Sequence, residues 1–532
     1  MSGYDTATDD GLLAAFWDYE RALRTNDVPA LEHWFLAGPD TLRSDGGTTL
    51  VGAGHIARFR RSRQPPGPRR VDRVHLRPLG GGSAAVVAES TRPDGTCAVQ
   101  SQIWVSGPAG WRIAVAHVSA AAPLLPTISE PAGVWRVAGP LRVDPGPAAA
   151  GALSAAGPLS GVRLAVKDLF ALAGQAIGGG SADWLAEAPV QTTTAPSVAA
   201  LLAAGATVAG LAHTDELAFS LAGVTQSYGA VPNPAAPGCL SGGSSSGPAA
   251  AVAGHAADLG VGTDTAGSIR VPASYCGLFG LRPTHGAIDT EGVLPLAPSF
   301  DTVGLLSRDP QLLATAAGLL LPPAGNNRSV TPVQLLLRVG DLIDGTDPGV
   351  APAFESATVA LAGRTGCAVE AAPDLAEAVD TWLPAFRTVQ AAEAWAAHGE
   401  FVTKARSGLQ PEVVARFEAG RELTEDAVAR ARAVLAGARD RLAELLPPGR
   451  ALLLPATSGP ALPLDLAAGE VDSARVATLR LTCLASLAGL PAVAVPTMRL
   501  GTRPMGLSLV GAAGSDRSLL ELINRPAPWD RP

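Results

Sequence analysis

Five cysteines in 532 residues are too few and too scattered to staple a fold together. Cys97, Cys239, Cys276, Cys367 and Cys483 are odd in number and show no CxxC spacing. That excludes a disulfide framework and a cysteine-based zinc site, and it fits free thiols in a reducing compartment. Charge is also sparse: 17% of residues are charged, and the formal net charge is −8. A general binder of nucleic acid or anionic membrane needs the opposite balance. No uninterrupted apolar stretch reaches the ~18–20 residues of a membrane helix. Val198–Ala212 is apolar but alanine-rich and too short. The first residues, MSGYDTATDDGLLAAF, are acidic where a signal peptide is basic. A soluble cytoplasmic protein is expected.

What is abundant is small and apolar. Hydrophobic residues make up 47% of the chain, and there are 60 glycines. A large core can form, and the length suits two to four domains. The first 120 residues differ from the rest. They hold Trp17, Trp34, Trp104 and Trp111 of the nine tryptophans. Leu12, Phe16, Tyr19 and Leu23 recur at helical spacing, predicting a helix over Asp10–Arg24. Short helices are expected at Val28–Phe35 and Gly54–Arg63. Strands are expected at Val71–Arg77, Ser83–Ser90, Ala98–Val105 and Trp111–Val118, separated by Gly- and Pro-rich turns. Helices followed by a meander indicate a small α+β domain.

This block resembles the cone-shaped domains similar to nuclear transport factor 2, and within them the AtzH/HpxZ-like type. The resemblance rests on FWDYERALRTNDVPALEHWF and SQIWVSGPAGWRIAVAHVS and covers residues 8–120. Residues 121–134 are expected to be a linker, within a Pro-, Ala- and Gly-rich stretch that runs on to 160. Ile56–Asp72 contains Arg58, Arg60, Arg61, Arg63, Arg69 and Arg70, and Arg73 follows. Such a run is commonly a solvated face. Inside a cone it could instead hold a carboxylate through arginine forks. Proteins of the AtzH/HpxZ-like type are associated with amidases of ureido compounds, so the resemblance implies a ureido or carboxylate-bearing substrate.

Beyond the linker, strands and helices alternate. Strands are expected at Val162–Val166, Thr207–Ala212, Leu259–Gly262, Cys367–Glu370, Leu452–Pro455 and Ala492–Val495. Helices are expected at Ala195–Ala204, Pro248–Ala257 and across 377–446. This is an α/β domain with a mixed, mostly buried central sheet flanked by helices.

The chemistry concentrates in Cys239–Gly286. Two turns dense in small residues, SGGSSSG and GTDTAGSIR, set Ser244 and Ser268 24 residues apart. A Gly/Ser loop before a helix exposes backbone N–H groups and can cradle phosphate. No GK[ST] follows, so this is not a P-loop, and no GxGxxG stands at a strand-to-helix turn. The same exposed N–H groups, set beside a serine, can instead form an oxyanion hole. That serine needs a base, and no histidine lies within a few residues of either turn. Lys167 ends the apolar run VRLAV. Burial would strip its charge and make it basic. A strand-end lysine also snorkels to solvent, and the residue alone does not decide.

The segments GVRLAVKDLF, GGSSSG and GVGTDTAGSIRVPASYCGLFGLRPTHG resemble the hallmarks of the amidase signature family in order and spacing. LLLPATSGPALP, LASLAGLPAVAVPTM and MGLSLVGAAGSDRSLLEL extend the resemblance over residues 135–525. Within the family the chain looks closest to the indole-3-acetamide amidase type. The resemblance implies a Ser–Ser–Lys triad: Ser268 as nucleophile, Ser244 as a bridging serine after a cis peptide, and Lys167 as base. It implies an oxyanion hole from the N–H groups of Thr265, Ala266, Gly267 and Ser268. Phe219 and Ser245 are the expected substrate-binding residues. Asp264 and Arg270 suit an internal ion pair, Cys276 suits core packing, and His285 suits a structural role.

One position departs from the pattern. The family has Gly-Gly-Ser where this chain has Ala266-Gly267-Ser268. Alanine would be strained if that position required a positive φ. The expected reaction is hydrolysis of a small carboxamide to carboxylate and ammonia, without metal or cofactor. The expected partner is the small-molecule amide, with no nucleic acid and no membrane, and a homodimer is left open. An aryl or aliphatic amide substrate such as indole-3-acetamide is the second reading. A non-catalytic or amidotransferase-like complex subunit is the third.

Overall fold

The computed structural model describes residues 6–45, 48–62, 69–91, 97–120, 133–141, 143, 157–323 and 330–525. The chain forms two compact units, residues 1–128 and 129–532. Residues 121–132 of the expected linker lie outside the described residues.

In the first unit the helix Thr6–Thr25 buries Leu12, Phe16, Tyr19 and Leu23, the positions its periodicity selects. They share a core with Trp104, which is fully buried and meets Tyr19 edge-on at 6.1 Å. The four expected strands form an antiparallel meander, Arg70–Gly80, Ser83–Thr91, Cys97–Gly107 and Gly110–Ala120. Two short strands were not anticipated. Leu42–Asp45 pairs parallel to Gly110–Ala120 and carries Thr48–Val51 at the edge.

Among the described residues the arginine run does not converge as a cluster of forks. The exposed Arg61 pairs with the half-buried Glu32 at 2.9 Å, and Arg69 pairs with the buried Glu20 at 2.7 Å. Arg58 and Arg73 are exposed. Arg60 turns inward and donates to the Tyr19 hydroxyl at 3.1 Å. Arg63 lies outside the described residues.

The second unit is built on an eleven-stranded mixed sheet. Toward one end lies Arg163–Lys167, flanked by Thr207–Ala212 and Leu259–Thr263, both parallel to it, and Trp135–Leu141 forms the edge strand beyond. Beyond Leu259–Thr263 the sheet turns antiparallel through Val303–Ser307, Phe279–Arg282, Ala492–Leu500 and Arg503–Gly511. The far side is parallel again, through Arg450–Pro455, Leu335–Arg338 and the exposed edge Ala368–Ala371. Central strands are buried on both faces, which explains their unbroken apolar runs without polar alternation.

The helical region expected at 377–446 is three helices, Ala376–Lys404, Pro411–Arg421 and Glu425–Leu445. Pro411 cannot continue the first helix and opens the second. Thr424 caps the third by accepting from Ala427 N–H at 3.2 Å. No helix among the described residues is long and apolar enough to cross a membrane.

Candidate active site

Two parallel strands bring the key residues together by register. Val166 is opposite Val261, so the C-terminal ends of Arg163–Lys167 and Leu259–Thr263 lie side by side. Lys167 closes the first strand and Thr263 the second. Lys167 Nζ donates to Thr263 Oγ1 at 2.8 Å and to Ser244 Oγ at 2.8 Å. All three residues are buried, and Lys167 is fully so. It does not snorkel. Burial pushes its pKa down to about 7, against the opposing pull of Asp215, Asp264 and Asp301.

Ser244 precedes the buried helix Ser246–Ala253, and the Gly243–Ser244 peptide is cis. Gly243 N–H donates to Leu221 O at 2.9 Å. Gly243 has no room for a side chain: a Cβ would lie 2.1 Å from Asp215 Oδ2. That carboxylate cannot step aside. It accepts from Ala222 N–H at 3.1 Å, Gly223 N–H at 2.9 Å and Ser246 Oγ at 3.1 Å. Gly243→Ala is therefore expected to destabilise the protein by about 3 kcal/mol. A denaturant melt with an unchanged midpoint would refute this.

The turn after Leu259–Thr263 carries Ser268, which is buried. Its carbonyl accepts from Ser245 N–H at 3.2 Å, stitching the two serine turns together. Among the described residues Ser268 Oγ makes no hydrogen bond to Ser244. The turn is organised by Asp264. Arg270 binds that carboxylate with two donors, Nη2 at 2.8 Å and Nε at 3.0 Å. Arg282 adds a contact at 3.1 Å from the next strand. Burial alone would raise Asp264, but the two guanidiniums hold it far below the carboxylate range.

This anchoring revises the expected oxyanion donors. Gly267 N–H is committed to Asp264 Oδ1 at 2.9 Å. The N–H groups of Thr265, Ala266 and Ser268 have no protein partner among the described residues and remain available. The doubt over Ala266 is also resolved. Ala266 keeps an ordinary negative φ, and the unusual φ of +128° falls on Gly267. A Cβ at Gly267 would meet Thr482 at 3.1 Å, so glycine is required there and not at 266.

Both expected substrate-binding residues are otherwise engaged. Ser245 Oγ donates to Thr263 O at 3.2 Å and accepts from Thr263 N–H at 3.3 Å. It braces the serine loop against the strand. Phe219 packs edge-on against Phe417 at 4.9 Å and lines a neighbouring cavity. One cavity, of about 240 Å³, is bordered by Leu221, Val271 and Tyr275, and a second, of about 250 Å³, is lined by Thr263 and Thr265 themselves. Two further expectations agree with the structure. Asp264 and Arg270 form an internal pair and Cys276 is buried, while His285 is exposed, with its Nε2 bonded to Pro298 O at 2.9 Å. Arg282 and Thr482 escaped the sequence reading, because each reaches the turn from a distant element.

Comparison with known proteins bears on this arrangement. A family model described as Amidase matches residues 147–321, and one described as AtzH-like matches residues 7–123. Amidase 1 of Oryza sativa subsp. japonica is 34% identical over 390 residues, covering 69% of this chain and 90% of that protein. Indoleacetamide hydrolase of Pseudomonas syringae pv. syringae is 53% identical over 93 residues, 18% of this chain and 21% of that protein. A crystal structure of an amidase superposes with a TM-score of 0.64 at 30% identity, covering 75% of this chain and 92% of that one.

Proposed function

Because the chain belongs to the amidase signature family and carries an AtzH-like N-terminal domain, we propose that it hydrolyses a small carboxamide through an acyl-enzyme on Ser268. The observation that carries this reading is the hydrogen bond from the fully buried Lys167 to Ser244, beside the turn that holds Ser268. A lysine whose pKa burial brings to about 7 is half neutral at physiological pH, where a general base is most effective.

Neutral Lys167 takes the Ser244 hydroxyl proton, and Ser244 takes the proton of Ser268. Ser268 Oγ forms a bond to the amide carbon, and the carbonyl π electrons move to oxygen. Backbone N–H groups of Thr265, Ala266 and Ser268 are the donors free to receive that oxyanion. The C–N bond then breaks, and the relay returns one proton to the departing ammonia. Water, activated by the same relay, cleaves the ester and releases the carboxylate. Every step is a proton or acyl transfer, so no redox partner is called for.

The similarity to an indoleacetamide hydrolase favours one second reading, an aryl-acetamide substrate. The test is ammonia release from a panel of simple aliphatic amides, aryl-acetamides and ureido acids, with acid quench and peptide mass analysis. At least one class should release ammonia and leave its acyl group on the peptide containing Ser268. No ammonia and no adduct from any class would overturn the proposal in favour of a non-catalytic subunit.

A further inference from the structure

The helix Ala468–Ala488 runs past the nucleophile turn. Arg475, Thr478, Thr482 and Ser486 are spaced three or four residues apart and so share one face. Thr482 Oγ1 donates to Ala266 O at 2.7 Å, and Ser486 Oγ accepts from Arg270 at 3.0 Å. Arg475 precedes Thr482 by seven residues, which at a rise of ~1.5 Å per residue is about 10 Å along the axis. It lines the cavity bordered by Leu221 and Val271. Leu221 is bonded to Gly243, and Val271 N–H donates to Gly267 O at 2.8 Å. The wall of this cavity is therefore one backbone hydrogen bond removed from each serine turn, and it extends to Arg475.

Arg475 is poorly satisfied for a residue so deep. Only a tenth of its side chain is exposed, and its Nε has no hydrogen-bond partner. Asp472 stands 3.8 Å away, beyond hydrogen-bond range, and is half exposed to water. Asp472 is also shared with Arg416, at 3.3 Å. Arg416 lines the same cavity, and both arginines continue into the wall of the adjoining one, where Arg387 joins them. Glu412 lies on the first cavity too, but Asp472 is the one carboxylate among the described residues within 4 Å of these guanidiniums. Burial and the nearby Arg416 push Arg475 down to about 9; Asp472 opposes this and Arg387 adds to it. An under-paired buried cation costs stability unless a ligand completes it.

We infer that Arg475 and Arg416 bind a carboxylate on the acyl portion of the substrate, so that half-amides of dicarboxylic acids are the preferred class. A guanidinium fork matches a carboxylate, and the inference rests on the amide hydrolysis proposed above.

The experiment compares adipamic and pimelamic acids with hexanamide and heptanamide. The native enzyme should favour the anionic amides by about tenfold or more in kcat/KM. Arg475→Gln should lower that preference at least tenfold, mainly through KM, and Arg475→Lys should restore part of it. Equal kinetics for anionic and neutral amides in the native enzyme would overturn the inference. So would a preference that survives Arg475→Gln, or equal losses on both classes. Calorimetric titration of native protein with adipate and the neutral 1-hexanol covers the cases where the variant fails to fold or no amide is cleaved. Adipate should bind at least tenfold more tightly, and equal binding would overturn the carboxylate site. If adipate binds but no amide is cleaved, the hydrolase proposal fails and the anion site stands.

Discussion

Replacing Ser268 with alanine is expected to reduce ammonia release by about four orders of magnitude or more while leaving the fold intact. The chemical half follows from the proposed covalent step, since no other group on the turn can carry the acyl group. Thr265 is the other hydroxyl of the turn, and its Oγ1 donates to Asp301 at 2.6 Å. The structural half follows from how Ser268 is held. Its contact with the serine loop is made by its carbonyl, which accepts from Ser245 N–H and survives the substitution. Asp264 binds Gly267, Ile269 and Arg270, and none of these bonds uses the Ser268 side chain. Loss of one small buried hydroxyl should shift the melting midpoint by only about 2 °C. Activity within a hundredfold of native would sink the nucleophile assignment. A collapsed melt would instead expose a structural role that the hydrogen bonding does not anticipate.

Much of this site could be read from local sequence because its geometry is local. A serine dense in small neighbours, a strand that ends in lysine and a fixed interval between two turns are visible along the chain. The strand Thr207–Ala212 falls on its expected bounds for a similar reason, being an apolar run with a glycine turn before it. The helix expected at Pro248–Ala257 begins earlier, at Ser246, and ends at Ala253. Gly254 caps it, and His255 turns to a φ of +60°, which periodicity alone does not foresee.

What sequence could not supply is convergence from afar. Arg282 reaches Asp264 from 18 residues away, and Thr482 reaches Ala266 from 216. Arg475 sits in an ordinary Asp-x-x-Arg spacing that reads as a surface pair, yet the fold buries it. Gly267 shows the same limit at short range. It was counted among the oxyanion donors, and the carboxylate of Asp264, three residues earlier, claims its N–H. Spacing identifies which groups could donate, but only packing shows which are already taken.

Lys167→Met is expected to abolish hydrolysis and yet to melt at a higher temperature near pH 7. The reason is the cost of burying an amine. In the unfolded chain Lys167 titrates near its ordinary value of about 10.5, and in the fold burial brings it to about 7. Between those values the unfolded chain holds a proton that the native protein lacks, so native stability rises with pH across this window and falls as pH drops toward 7. The gap corresponds to about 5 kcal/mol, withheld at neutral pH and fully recovered above 10.5. Methionine carries no such cost. It does leave the hydroxyls of Ser244 and Thr263 without their amine partner, a loss of about 1–3 kcal/mol. The variant should therefore be the more stable protein at pH 7, and its advantage should shrink as pH rises toward 10. Asp215 is the group whose titration Lys167 alters, because the ammonium draws its carboxyl down, so the difference between the two stability curves reports on Lys167 together with Asp215. The native enzyme should, in parallel, gain kcat/KM as pH rises through about 7, where the amine loses its proton and becomes a base. A flat stability difference would mean that Lys167 keeps its charge in the fold, and measurable hydrolysis by Lys167→Met would mean that the proton of Ser268 leaves by another route.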